Sequence, residues 1–344
     1  MARDTRSVPQ GSFTARPRPG GRIFTHRPRH RRQGPAVRPA RPLPTRGTRP
    51  AAAPPRPTAA TTAIRLPDGR RLGYADYGPV GGRVVVYLHG AVGTSLAPDP
   101  RMLGALRARG IRLIAPSRPG FGTSDPLPGR RVADWPADLL ALTEALGIER
   151  FGLLAVSAGG PYALACAHQL PERRLDGTVV AGGISPVVGP GAAAATTPAL
   201  RLGRAIVRRP DAARRWGDRL VGVLHRHPGL LGAAVGVPAS GADRRRLDAG
   251  ERGELVSAAL AATRRGAGPF LADLRLVLQP WGFALESVRA PVALVHGAQD
   301  ATVPVAHARE LERRLPRGRL RLLADEGHYL LRARLPDLLD ELPA

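Results

Sequence analysis

Apolar positions along the chain fall into two alternating patterns. Short unbroken runs, Val84-Val-Val-Tyr-Leu88, Phe151-Gly-Leu-Leu-Ala-Val156, Gly177 to Ala181 and Val292 to Val295, have strand length and little polar alternation, as strands covered on both faces do. Ile64 to Tyr74 reads as two strands around a Pro67-Asp68-Gly69 turn, and Arg112 to Ala115 and Arg319 to Leu323 complete the strand set. Between the strands lie helical stretches: near Met102 to Arg109, from the cap Asp134-Trp135-Pro136 to about Leu146, the alanine-rich run after Gly159, Ala306 to Leu315, and a terminal helix. Strands alternating with helices at this spacing predict βαβ units: an α/β fold with a mostly parallel central sheet flanked by helices. From about residue 185 to 283 the rhythm is lost. Helices at Leu200 to Val207, Trp216 to Leu224, Glu254 to Thr263 and Phe270 to Leu278 read as an inserted helical cap. Residues 1–60 show neither pattern; they are Arg/Pro-rich, bury too little to fold, and read as a disordered arm ahead of a 61–344 domain.

One stretch carries candidate chemistry. The strand Phe151 to Val156 runs into Ser157-Ala158-Gly159-Gly160 and then a helix. A sharp strand-to-helix turn of this kind, a nucleophile elbow, lifts a serine hydroxyl clear of the sheet, and small residues two places either side let the backbone pass close to itself. Those positions are Ala155, where the G-x-S-x-G pattern has glycine, and Gly159. The turn also aims the first amides of the helix, Ala158 foremost, at the space above Ser157, where an anion would meet N–H donors. Asp300 stands just past Val292 to Val295, and His328 just past the next strand, in Asp325-Glu-Gly-His328. Residues beyond the carboxyl ends of parallel strands meet along one edge, so Ser157, Asp300 and His328 are expected to converge. A serine hydroxyl needs an imidazole to take its proton, and the imidazole needs a carboxylate to fix its tautomer. Asp325 and Glu326 are rival acids, but sequence neighbours rarely point at the same ring. The turn after Leu88, His89-Gly90-Ala91-Val92-Gly93, is expected to supply a second amide donor, Ala91 first and Val92 next. Gly90 and Gly93 keep that loop thin, and His89 is read as a structural residue of it.

Composition narrows the partners. Net charge is +25, yet all the basic residues are arginine, a coding bias that weakens the usual inference of nucleic-acid binding. Fourteen of the arginines lie in residues 1–60 against Asp4 alone, with only Phe13 and Phe24 to stack on bases, so nucleic acid is disfavoured as a partner. No apolar run is long enough for a membrane span, and no signal-like h-region opens the chain, which leaves a cytoplasmic location as the expectation. The single cysteine, Cys166, excludes an internal disulfide and is read as a buried apolar residue. Arg244-Arg-Arg246 is read as solvated, and Trp216, Phe270, Trp281 and Phe283 as core under an apolar pocket roof.

On His89-Gly90, Arg118-Pro-Gly-Phe-Gly-Thr-Ser-Asp125, Val156-Ser157-Ala-Gly-Gly-Pro-Tyr162, His296-Gly297 with Asp300, and Gly327-His328, residues 61–344 resemble the α/β-hydrolase superfamily, in its capped AB hydrolase-1 branch. The order Ser, Asp, His is the order of that superfamily. The resemblance implies Ser157 as nucleophile, Asp300 as triad acid and His328 as general base, with no metal and no cofactor. It departs at Ser117, where the family usually has Asp, and at Ala155. Esterase or thioesterase chemistry on a small-molecule acyl substrate is the plainest implication; amide or C–C hydrolysis and cofactor-free haloperoxidase-like activity use the same triad. A serine nucleophile sets the chain apart from haloalkane dehalogenases and epoxide hydrolases. The rival reading is a non-catalytic binding protein on the same scaffold, its basic arm engaging nucleic acid or an anionic surface. Oligomeric state is not legible.

Overall fold

Strand β1 (Thr62–Arg65) turns back at Gly69, whose φ of +85° suits glycine, into β2 (Arg71–Tyr77). There follow β3 (Arg83–Leu88), α1 (Pro100–Ala108), β4 (Ile111–Pro116), α2 (Trp135–Ala145), β5 (Phe151–Val156), α3 (Gly160–Gln169) and β6 (Leu175–Ala181). Six helices come next: α4 (Pro198–Val207), α5 (Pro210–Arg226), α6 (Pro228–Val235), α7 (Gly241–Arg246), α8 (Ala249–Ala262) and α9 (Gly268–Val277). The chain closes with β7 (Val292–Gly297), α10 (Val305–Arg314), β8 (Gly318–Leu323) and α11 (Leu331–Asp340). This computed structural model describes residues 62–343 apart from 92, 94–97, 189–196, 236–239 and 248. The arm expected over residues 1–60 and the donor expected at Val92 lie outside the described residues.

The strands form one sheet in the order β1-β2-β4-β3-β5-β6-β7-β8, in which β2 is antiparallel to its neighbours β1 and β4 and the six strands from β4 to β8 in that order are parallel. Unbroken apolar runs are needed because both faces of this sheet are covered. Val86, Leu153 and Val180 face one core with Leu139 and Leu142 of α2 and Tyr162 to Ala167 of α3. Their neighbours Val85, Leu154 and Val179 face the other, with Met102 and Leu106 of α1 and Leu335, Leu338 and Leu339 of α11. Adjacent residues thus serve opposite faces, as the two-residue strand period requires. Cys166 is fully buried in the first of these cores, where burial raises its thiol pKa and keeps it protonated.

The chain runs outward from β3 to β4 and then returns across β3 to β5. The order reverses there, and in open α/β sheets the carboxyl ends of the strands at such a reversal are where ligands bind. Helices α6 and α7 also lie in the segment that reads as short helices, but Pro, Gly and a short Arg-rich run mask them; the readable signal is the Ser240–Asp243 capping box at α7. Two sequence expectations need correction in the inserted helices. Trp216 is not core but 68% exposed. Arg246 is not simply solvated: its guanidinium pairs with the buried carboxylate of Glu326.

Candidate active site

Ser157 follows β5 with φ at 51°, the single positive φ on a non-glycine residue among the described residues. That conformation costs a β-carbon residue about 1–3 kcal/mol and persists only where surrounding structure enforces it. Here a buried strand, β5, runs straight into α3, and Gly159 lets the turn close. A Cβ at Gly159 would stand 2.4 Å from the Leu88 carbonyl oxygen and 2.9 Å from that of His89. Backbone cannot yield as a side chain tip does, so Gly159→Ala is expected to cost about 1–3 kcal/mol, read as a lower thermal midpoint. Ala155, by contrast, is accommodated as a buried β5 residue paired with Leu88 and Val180.

The structure brings Ser157, His328 and Asp300 into one hydrogen-bonded line. His328 Nε2 lies 3.1 Å from Ser157 Oγ, and Nδ1 lies 2.7 Å from Asp300 Oδ2. The other Asp300 oxygen accepts the amide N–H groups of Thr302 at 2.9 Å and Val303 at 2.8 Å. His296, whose Nε2 donates to the Val303 carbonyl at 2.8 Å, lies 3.4 Å from Oδ2. Burial alone would raise the Asp300 pKa; the neighbouring His328 and the hydrogen bonds hold it well below the carboxylate range instead. For His328 the balance runs the other way in sign. Burial pushes its pKa down, but the Asp300 charge and hydrogen bond outweigh burial and leave it raised, with Asp243 adding to the effect.

Gly90 carries the loop after β3 past the serine: a Cβ there would sit 3.4 Å from Ser157 Cβ. Ala91 follows Gly90 in that turn, and Ala158 follows Ser157 in the turn leading to α3. His89 is buried and shapes the loop from within. Its Nε2 accepts the Arg118 N–H at 3.2 Å, so the proton lies on Nδ1, which donates to the Gly90 carbonyl at 2.8 Å. Burial, with help from the Arg118 charge, takes its pKa down to about 3, so this imidazole stays neutral. Gly93 packs against the same ring, where a Cβ would come within 2.9 Å of His89 Cβ.

Several residues that hold the site escaped the sequence reading. Arg118 is fully buried; it donates to the His89 and Gly90 carbonyls and pairs with Asp273 of α9 at 2.8 Å. Asp273 also accepts from Arg130 at 2.6 Å and from the Tyr162 hydroxyl at 2.6 Å, while the Arg118 guanidinium lies 4.7 Å from the Tyr162 ring centre. Arg118 opens the segment Arg118-Pro-Gly-Phe-Gly-Thr-Ser-Asp125, but nothing in sequence links it to a carboxylate 155 residues on. Gly182, at the end of β6 with φ of +58°, leaves room for the relay: a Cβ there would stand 3.4 Å from His328 Nδ1. Asp243 of α7 is fully buried and accepts the Tyr329 N–H at 2.9 Å, and Gly327 has no space for a Cβ because the Asp243 carboxylate occupies it. Glu326, weighed as a rival acid, is taken up by Arg246 and Arg334. Among the described residues no cluster of three or more His, Cys, Asp or Glu side chains is placed to hold a metal ion.

A parallel sheet whose order reverses beside a strand-turn-helix serine defines the α/β-hydrolase class. The chain belongs to the alpha/beta hydrolase fold family, whose model matches residues 83–331, and is an α/β-hydrolase in that sense. It is 26% identical over 270 residues to the uncharacterized hydrolase YcgS of Bacillus subtilis strain 168, covering 76% of this chain and 90% of YcgS. In fold it is similar to the esterase RhEst1 from Rhodococcus sp. ECU1013, with TM-score 0.61, 23% identity, and coverage of 81% of this chain and 96% of RhEst1. It is also similar to the esterase EaEST from Exiguobacterium antarcticum, with TM-score 0.62, 18% identity, and coverage of 82% and 98%. No helix among the described residues is long and apolar enough to cross a membrane.

Proposed function

We propose that the protein is a serine hydrolase that cleaves small carboxylic esters or related acyl compounds through an acyl-enzyme. The observation that carries this reading is the Ser157–His328–Asp300 line, standing where the carboxyl ends of the parallel strands meet. Asp300 accepts a hydrogen bond from the Nδ1–H of His328, which fixes that tautomer and leaves the Nε2 lone pair facing Ser157. Ser157 Oγ attacks the substrate carbonyl as its proton passes to Nε2, and the carbonyl oxygen becomes an anion. The N–H groups of Ala158 and Ala91 serve as its donors. The imidazolium then returns its proton to the leaving alkoxide, and the carbonyl re-forms as an acyl ester of Ser157. A water repeats the cycle: His328 takes its proton, its oxygen attacks, and Ser157 leaves reprotonated. His89, neutral and hydrogen-bonded to its own loop, supports the Ala91 turn and takes no proton. In this reading residues 61–344 are the hydrolase domain, 185–283 its substrate-selecting cap, and 1–60 a separate Arg/Pro-rich arm. The similar esterases support ester chemistry; the cap decides acyl length.

Labelling with a fluorophosphonate, which reacts only with an activated serine, tests the assignment. Stoichiometric labelling of wild type and none of Ser157→Ala is expected. Absent labelling of folded wild type would instead favour the non-catalytic binding reading.

Asp243 supplies a pH test. Its charge favours the protonated form of His328, whose pKa lies above its ordinary value. Asp243→Asn keeps an oxygen for the Tyr329 N–H but removes that charge, so His328 gives up its proton at lower pH. The acid limb of kcat/KM is therefore expected to move to lower pH. A limb that stays put while the rate falls would limit Asp243 to holding the loop.

A further inference from the structure

Exposed apolar side chains gather on the inserted helices. Of the seven large ones among the described residues, five lie within residues 198–235: Leu202, Trp216, Leu220, Val223 and Leu230. Three of these share α5, whose seventeen residues include none that is buried. The helix packs through one side only, where Gly217 meets Ala267 so closely that a Cβ would stand 2.7 Å from the Ala267 Cβ. Trp216, Leu220 and Val223, at spacings of four and three, form a second stripe turned to solvent, with exposures of 68%, 58% and 37%. Beside it, at about 100° per residue, runs a row of exposed arginines, Arg215, Arg219 and Arg226. The Arg219 guanidinium lies 4.9 Å from the Trp216 ring centre.

The charges select the occupant. Residues 198–235 hold eight arginines against Asp211 and Asp218. A second copy of the chain, docked stripe to stripe, would set like-charged rows against each other. The chain's own residues 1–60, with fourteen arginines, would be repelled in the same way. An apolar stripe flanked by arginines matches a surface that offers acyl chains below and phosphates above.

We propose that α5 is an interfacial helix that seats the protein on an anionic lipid surface. Trp216, Leu220 and Val223 enter the acyl boundary, while Arg215, Arg219 and Arg226 reach phosphate level along their aliphatic stems. The proposal does not depend on Ser157 being a nucleophile.

Flotation of the full chain with phosphatidylcholine vesicles, with and without phosphatidylserine, tests this. Trp135 and Trp281 are each 3% exposed, so any lipid-induced blue shift in tryptophan emission reports on Trp216. Binding to the anionic vesicles with a blue shift is expected, and Leu220→Asp is expected to lower partition by about tenfold or more. Arg215→Glu with Arg219→Glu is expected to remove the preference for phosphatidylserine, which keeps the test open even if Leu220→Asp proves unstable. Wild type that ignores both vesicles overturns the proposal. So does wild-type flotation without a blue shift, or undiminished binding by folded Leu220→Asp, either of which would move lipid contact to the arginine-rich residues 1–60 or another face. A lipid-free dimer that Leu220→Asp dissolves would overturn it in favour of a second copy.

Discussion

Ser157→Ala is expected to lower kcat on any ester substrate by about 10⁴- to 10⁶-fold while leaving the melting temperature equal to or above that of wild type. In the proposed mechanism the rate follows from losing the atom that forms the acyl bond; with His328 and Asp300 still in place, the histidine has no hydroxyl to deprotonate. The stability follows from the backbone. Ser157 holds its φ of 51° despite its Cβ, and alanine keeps that Cβ, so a change at the Oγ leaves the turn and its cost as they were. A steady-state assay beside a thermal melt separates the two. A residual rate within about tenfold of wild type would remove Ser157 from the mechanism.

Asp273→Ala is expected to destabilise the fold by about 3–5 kcal/mol, more than any surface change in the inserted helices. Asp273 and Arg118 are each 1% exposed at their side chains, and Arg130 is 7%. Removing the carboxylate strands two guanidinium groups in a dry interior. The pH dependence has a definite sign: burial would raise the Asp273 pKa, but Arg118 and Arg130 depress it well below its ordinary 3.8. Its contribution is therefore complete above that value and is lost as pH falls below it. Urea unfolding at neutral and acidic pH is the measurement, with the gap between wild type and Asp273→Ala narrowing on the acid side. Arg118→Met combined with Asp273→Ala should recover part of the loss, since an apolar side chain there needs no partner.

Most of the sheet is legible in sequence because its strands are covered on both faces, which forces unbroken runs such as Val84 to Leu88. Ser157, Asp300 and His328 are legible for a related reason. Each stands within a few residues of a strand end, so topology alone brings them to one edge. What the sequence conceals is long-range polar pairing. Asp243 and Arg246 sit among charged residues on a short helix and Asp273 on a mostly apolar one, and local pattern does not separate a buried carboxylate from a solvated one. Trp216 misleads in the opposite direction, since an aromatic residue at helical spacing reads as core whether its stripe faces inward or out. Gly182 falls between these cases, because its role depends on a histidine 146 positions later.

The two buried carboxylates of the inserted helices bear on how freely that segment can be exchanged between relatives. Asp273 neutralises Arg118, which carries the carbonyls of the loop beside Ser157, and Asp243 carries the amide next to His328. A chimaera that transplants a foreign insert onto this sheet would strip a counterion from one wall of the active site and a peptide acceptor from the other. Under the proposed function, substrate range can change on the faces of α4, α5, α8 and α9 that those carboxylates do not use, whereas wholesale replacement must bring both acids along.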